Sequence, residues 1–97
     1  MLTGKQKRFL RAQAHHLQPI FQVGKGGVNE NMLKQINDAL EARELIKVSV
    51  LQNCEDDMDA VAAAIERGTN AYVVQVIGHT IVLYKESTKN KKIELPK

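Results

Sequence analysis

The sequence predicts an α/β fold, a single domain in which three helices pack on one mixed four-stranded sheet. Apolar residues recur with helical spacing in three segments, and in four others they alternate with polar residues or run together. These segments follow the order α-β-α-β-α-β-β. Each strand-helix-strand passage implies a right-handed parallel crossover, and the final hairpin adds an antiparallel strand.

The first helix and strand have clear boundary signals. Thr3 and Gln6 have the spacing of a capping box, which predicts a helix that runs to about residue 16. Pro19 ends this helix, because proline cannot continue the hydrogen-bond ladder. The apolar run 20–23 then predicts a short strand that stops at a glycine-rich loop.

The later elements are predicted in the same way. Asn29 is a good N-cap for the second helix, and the alternation in residues 46–50 predicts a half-buried strand. The acidic run 55–57 starts the third helix, and Gly68 is predicted to close it as a C-terminal cap. Gly78 in the first turn position predicts a type II′ hairpin between the last two strands.

Length and composition limit the class of protein. The 97 residues, 43% of them hydrophobic, fit one domain with its core within about residues 2–85. Residues 86–97 form a polar, basic tail that we expect to fray. The lone Cys54 cannot form an intrachain disulfide, and no apolar run resembles a signal peptide or a membrane span. We therefore expect a cytoplasmic protein that does not contact membranes.

The charges are unevenly distributed along the chain. Residues 1–29 contain no acid, whereas residues 30–67 carry nine acids against four bases. In the first helix, Lys7, Arg8 and Arg11 fall on one face and the apolar residues on another. An acid-free segment can build a continuous positive potential, which suits a polyanion such as RNA, although a merely solvated surface would have the same composition.

A GxxG pattern with a lysine, GKGG at residues 24–27, lies between the first strand and the second helix. Free N–H groups at a helix N-terminus attract phosphate, and glycines let a backbone approach closely, as in the KH-type clamp. Alone, the pattern fits a tight turn without a ligand better, but the cationic helix face and the loop lysine lie in the same acid-free third of the chain. We predict that the amides of Gly26, Gly27 and Val28 contact phosphate. The predicted RNA-binding residues are Gly24, Lys25, Gly26, Gly27, Val28, Lys5, Lys7, Arg8 and Arg11.

The sequence gives less support to an enzymatic function. The acids in residues 55–59 could hold a divalent cation, but carboxylates at a helix start are stabilised by the helix dipole, and adjacent helix positions do not converge on an ion. His15 and His16 have no nearby nucleophile, and no serine lies in a Gly-x-Ser-x-Gly setting. We therefore expect no catalytic residues, no metal, no cofactor and no small-molecule substrate.

Five segments that occur in a fixed order carry a resemblance to a known family. They are LTxxQxxxLR at 2–11, GKGG at 24–27, ELIKV at 44–48, QVIG at 75–78 and VLYK at 82–85. In these segments the chain resembles the CRM domain (chloroplast RNA splicing and ribosome maturation) in its stand-alone bacterial YhbY-like form, over about residues 2–85. One departure is Val28-Asn29, where family members often have Leu-Thr or Leu-Ser, and asparagine caps a helix at least as well.

The resemblance implies a fold similar to the C-terminal domain of translation initiation factor 3. It also implies RNA binding through the GxxG loop and the neighbouring basic surface, and association with precursors of the large ribosomal subunit. We therefore predict a non-enzymatic ribosome assembly factor whose partners are ribosomal RNA and the subunit precursor. The alternative is a protein–protein adaptor that uses the acidic middle region and binds RNA incidentally, and an enzyme ranks third.

Overall fold

The first helix begins where the capping box predicts. In the computed structural model, which describes residues 2–97, Thr3 Oγ1 accepts a hydrogen bond from the Gln6 N–H at 3.1 Å. In return, the Thr3 N–H donates to Gln6 Oε1 at 3.0 Å. Helix α1 spans Gly4–Ala14, slightly shorter than predicted, with Leu10 and Ala14 buried on its packed face.

The remaining elements follow in the predicted order, and the sheet is mixed. The element bounds are β1 Pro19–Val23, α2 Glu30–Arg43, β2 Leu45–Val50, α3 Met58–Thr69, β3 Tyr72–Ile77 and β4 Thr80–Tyr84. Strand β1 runs parallel to β2, whereas β4 is antiparallel to both of its neighbours, β2 and β3. Across residues 2–97 the strand order is β1-β2-β4-β3, so the final hairpin inserts β4 between β2 and β3. Gly78 in the hairpin turn has the positive φ, 56°, that the type II′ prediction requires.

The sheet separates two apolar clusters. Helices α2 and α3 cover one face, where Ile36, Ile46 and Ile65 belong to the first cluster. Helix α1 covers the other face, where Leu10 and Leu45 belong to the second cluster. Successive strand residues point to opposite faces, so β2 contributes to both clusters. The result is a three-layer arrangement with the sheet in the middle.

Gly68 lies inside α3, which corrects its predicted role as the C-terminal cap. The helix continues to Thr69, and the cap is Asn70, with a left-handed φ of 61°. Gly68 instead provides space for helix packing, because a Cβ atom there would lie 2.5 Å from Leu33 Cδ1. The predicted start of α3 is confirmed, since Asp57 Oδ1 accepts the Ala60 N–H at 2.8 Å.

The segment beyond Lys85 is docked on the domain, contrary to the prediction that it frays. Glu44, the C-cap of α2, is fully buried, and its carboxylate accepts three backbone N–H groups of this segment. The donors are Ser87 at 2.8 Å, Lys92 at 2.5 Å and Ile93 at 2.7 Å. These bonds connect residues that are far apart in the sequence, so helical or strand periodicity could not reveal them.

A second carboxylate and apolar contacts complete the docking. Glu41 accepts hydrogen bonds from the Ser87 hydroxyl and from the Thr88 hydroxyl, the latter at 2.8 Å. Farther along, Ile93 and Leu95 pack against the second cluster. The tail therefore becomes part of the layer that α1 forms.

The same contacts change the pKa values of both carboxyl groups. The Ser87 hydroxyl, followed by the backbone and hydroxyl of Thr88, lowers the pKa of Glu41 to about 2. Burial pushes the pKa of Glu44 upward, but the N–H donors of the tail outweigh burial, and the pKa lies below its ordinary value. Each group therefore stabilises the folded state only while it is ionised.

We expect the free energy of unfolding to fall as the pH drops from about 4.5 toward 2. Both folded pKa values lie below the ordinary value of 4.5, so their contribution is present above 4.5 and is lost as the pH falls through the folded values. Urea unfolding measured across this range checks the expectation. The variant Glu41→Gln should show a shallower pH dependence, and a dependence as steep as that of the wild type would contradict the assignment.

Candidate nucleic-acid interface

The GKGG loop forms a tight turn at the end of β1. The Gly27 N–H donates to the Gly24 carbonyl oxygen at 3.0 Å, and Lys25 and Gly26 are exposed at the tip. This bond engages the Gly27 N–H within the loop, so the predicted phosphate contact of this amide would have to share or replace it. The hydrogen bond closes the turn across Lys25 and Gly26.

Two other amides of the loop remain available. The N–H groups of Gly26 and Val28 have no hydrogen-bond acceptor among residues 2–97. Helix α2 begins directly afterwards, with Asn29 Oδ1 accepting the Met32 N–H at 2.8 Å. The positive end of the helix dipole, two free amides and the Lys25 ammonium group therefore lie close along the chain, an arrangement that favours an anion.

Gly27 is the loop position that requires glycine. Its φ is 70°, a left-handed value that other residues rarely adopt. A Cβ atom at Gly27 would also lie 2.8 Å from Asp56 Oδ2. The Asp56 carboxylate thus covers one side of the turn, and an anion would approach the loop from the exposed side of Lys25, away from this negative charge.

The predicted division of α1 into a packed face and a cationic face is confirmed. Lys5, Lys7 and Arg8 are exposed, and Arg11 is half-buried at the edge of the helix. Within residues 2–97 none of these cations takes part in an ion pair. Helix α1 packs on β2, β3 and β4, whereas the GKGG loop follows β1. The cations of α1 and the GKGG loop therefore border the same sheet.

The structure adds Lys47, a cation that the sequence interpretation did not include in the site. A cleft of about 240 Å³ lies between α1 and the sheet, and Lys47 shares it with Arg11. Because side chains alternate along β2, the sequence predicts that Lys47 lies on the face of the sheet opposite Ile46. It does not show that the edge of α1 borders that face. The cleft is also lined by His15, Gln75, Ile77 and Val82.

The acidic segment 55–59 has local roles in the fold. Asp57 caps α3, and Asp56 lies against Gly27. Among residues 2–97, the histidine, cysteine and carboxylate side chains form no group of three that could hold a metal ion. In the same part of the chain, no helix has the length and apolar character needed to cross a bilayer.

Comparison with known proteins agrees with these features. The family model described as the CRS1 / YhbY (CRM) domain matches residues 2–85. The "Probable RNA-binding protein YqeI" of Bacillus subtilis is 74% identical over 96 residues, which cover 99% of this chain and 100% of that protein. A Haemophilus influenzae "RNA-binding protein" is 44% identical over 96 residues, covering 99% of this chain and 96% of that protein.

A solved structure shows the same fold. The solution structure of the hypothetical protein SAV1595 from Staphylococcus aureus has a TM-score of 0.82 and 62% sequence identity to this chain. The match covers 99% of this chain and 100% of that one. The chain belongs to the CRS1 / YhbY (CRM) domain family.

Proposed function

We propose that this protein binds RNA through the GKGG loop and the cationic face of α1, without catalysing a reaction. The observation that carries the proposal is the pair of free amides, Gly26 and Val28, beside Lys25 at the N-terminal end of α2. An RNA phosphate would accept hydrogen bonds from these amides while Lys25 neutralises its charge. The names of the relatives, which describe them as RNA-binding proteins, agree with this chemistry.

The cations of α1 would contact a second part of the RNA backbone. Lys5, Lys7 and Arg8 are exposed and unpaired within residues 2–97, so phosphate binding would break no existing ion pair. Contacts of this kind position RNA and supply salt-dependent affinity, but they do not read its sequence. RNA shape would therefore contribute to recognition.

We further propose that the bound RNA is ribosomal RNA within precursors of the large ribosomal subunit, in the cytoplasm. This step depends on membership of the CRM family, because the arrangement of charges suits any exposed RNA backbone. Sedimentation of a lysate that contains the tagged protein tests it. The protein should travel with large-subunit precursors and be released by high salt, whereas a protein found only at the top of the gradient would contradict the proposal.

Affinity for RNA is expected to fall with salt along a log-log slope of about −3.5 to −4.5, which corresponds to about five cations that each release roughly 0.7 to 0.9 counterions. The double variant Lys7→Glu/Arg8→Glu should bind more weakly and reduce the slope by about two contacts. Its free energy of unfolding should stay within about 0.5 kcal/mol of the wild type, because exposed charges contribute little to folding. Fluorescence anisotropy with a ribosomal RNA fragment and urea unfolding provide the two measurements.

Arg67→Glu is the control for position, because Arg67 is exposed on α3, on the other side of the sheet. This variant should bind RNA with nearly the wild-type slope. A flat salt response of the wild type would overturn the proposed electrostatic binding. Equal losses per reversed charge, one in the control and two in the α1 variant, would show that net charge matters and the α1 face does not.

A further inference from the structure

Lys47 is a cation that the fold itself does not use. It lies in the middle of β2, in register with Pro19 of β1 and with Val82 of β4, which is buried. The side chain is half-buried and has no ion-pair or hydrogen-bond partner within residues 2–97. Because the Lys47 ammonium group is unpaired in the described part of the chain and borders an open cleft, an anionic partner from outside the chain can reach it without breaking an existing contact.

The cleft that contains Lys47 combines donors with an apolar floor. Arg11 and His15 border it on the α1 side, Gln75 and Ile77 border it on the β3 side, and no carboxylate lines it. Its volume of about 240 Å³ is below the range of roughly 300–1,000 Å³ typical of drug-sized ligands. The cleft therefore suits a small group that carries negative charge at one end and an apolar face at the other.

A row of accessible side chains leads from the cleft toward the GKGG loop. Gln22, Ser49, Thr80 and Ile77 are aligned across the four strands. The three polar members make no side-chain hydrogen bond within residues 2–97, and Ile77 is 58% exposed. Gln22 precedes Gly24 by two strand residues, about 7 Å. One continuous surface thus connects α1, the cleft and the loop.

We propose that the cleft holds one nucleotide of a single-stranded RNA segment that continues along this row to the GKGG loop. The phosphate contacts Arg11 and Lys47, and the base packs on Ile77. The Gln75 amide, which is both donor and acceptor, contacts the edge of the base. The RNA is single-stranded here because the bases of a duplex are stacked and cannot enter a cleft between a helix and a sheet. This inference rests on the proposed RNA-binding function and adds a nucleotide site to it.

Two substitutions separate the parts of the cleft. Lys47→Gln removes the charge but keeps a side chain of similar length, and Ile77→Ser removes the apolar contact. The probe is a short fluorescein-labelled oligouridylate, compared with an RNA duplex. We expect Lys47→Gln to weaken oligouridylate binding about tenfold, as for the loss of one charge-assisted hydrogen bond. Ile77→Ser should weaken it severalfold, and duplex binding should change little in either variant.

The chain offers matched controls for both changes. Val76 is 39% exposed on the same strand but is paired with Ile81, which belongs to the first cluster, so its side chain lies on the opposite face. Val76→Ser and Arg67→Gln should therefore bind oligouridylate like the wild type. Photo-crosslinking of wild-type protein to a thiouridine-substituted oligonucleotide provides a test without substitution, and we expect crosslinks to Gln75 and Ile77.

The possible outcomes distinguish this inference from the function on which it rests. If the wild type binds oligouridylate, but the two cleft variants bind equally well and crosslinks occur only in the loop, the cleft inference is wrong and RNA binding stands. If the wild type binds neither oligouridylate nor duplex, the proposed function is wrong and the cleft inference falls with it. Weaker binding by the cleft variants alone, with crosslinks in β3, supports the nucleotide site.

Discussion

Replacing Glu44 by glutamine is expected to lower the free energy of unfolding by about 3 kcal/mol, because it leaves a buried donor without an acceptor. Glu44 Oε2 accepts the Ser87 N–H, and Oε1 accepts the N–H groups of Lys92 and Ile93. Glutamine keeps only one oxygen. In either orientation of the amide, its NH₂ group therefore faces at least one backbone N–H.

The backbone of Glu44 has an unusual conformation. Its φ is 67°, which is unfavourable for a residue with a Cβ atom. The Glu44 N–H closes α2 by donating to the Leu40 carbonyl oxygen, whereas the carboxylate holds the tail. Glutamine and glutamate have similar preferences for backbone φ and ψ. Glu44→Gln therefore tests the carboxylate without changing the backbone strain.

The measurement is urea unfolding followed by far-UV circular dichroism, since the chain contains no tryptophan. Glu41→Gln serves as the control, because Glu41 is nearer the surface and bonds the same tail segment, and it should destabilise much less. Hydrogen exchange of the Ile93 amide should also speed up in Glu44→Gln. A Glu44→Gln variant as stable as the wild type, with a protected Ile93 amide, would refute the proposed role of the carboxylate.

Replacing both Lys25 and Gly26 by aspartate should weaken RNA binding by roughly 100-fold. A unit charge about 4 Å from a phosphate in water contributes roughly 1 kcal/mol, and the double variant changes the loop by three charge units. The resulting change of about 3 kcal/mol corresponds to about two orders of magnitude in affinity. Folding should persist, because a Cβ atom at Gly26 has no neighbour within 4 Å and its φ is not left-handed.

Three single variants separate charge from backbone geometry in the loop. Lys25→Ala should weaken binding modestly through the loss of one charge, and Gly26→Ala should preserve both stability and binding. Gly27→Ala should cost about 1 kcal/mol of stability, because the left-handed φ favours glycine, and it must also displace Asp56. The measurements are melting temperatures and affinity for the ribosomal RNA fragment. If the double aspartate variant is folded and binds like the wild type, the GKGG loop is only a turn.

Local signals in the sequence predicted the elements and much of the candidate interface. The Thr3–Gln6 capping box, the N-caps at Asn29 and Asp57 and the hairpin glycine Gly78 act over a few residues, so their partners are visible in the sequence itself. The cationic face of α1 follows equally from helical spacing. Short-range sterics and hydrogen bonds determine these features, and they therefore appear in the structure as predicted.

Contacts between distant segments decided the rest. The insertion of β4 between β2 and β3, the cleft at Lys47 and the contact of Asp56 with Gly27 depend on how the sheet brings separate elements together. Periodicity assigns a residue to one of two faces, but it does not tell which helix covers that face.

The polar tail beyond Lys85 also depends on contacts that the sequence does not reveal. Its composition predicts fraying, yet it is held by Glu44, a carboxylate more than forty residues away, because buried N–H groups and a buried charge satisfy one another only once the chain has folded.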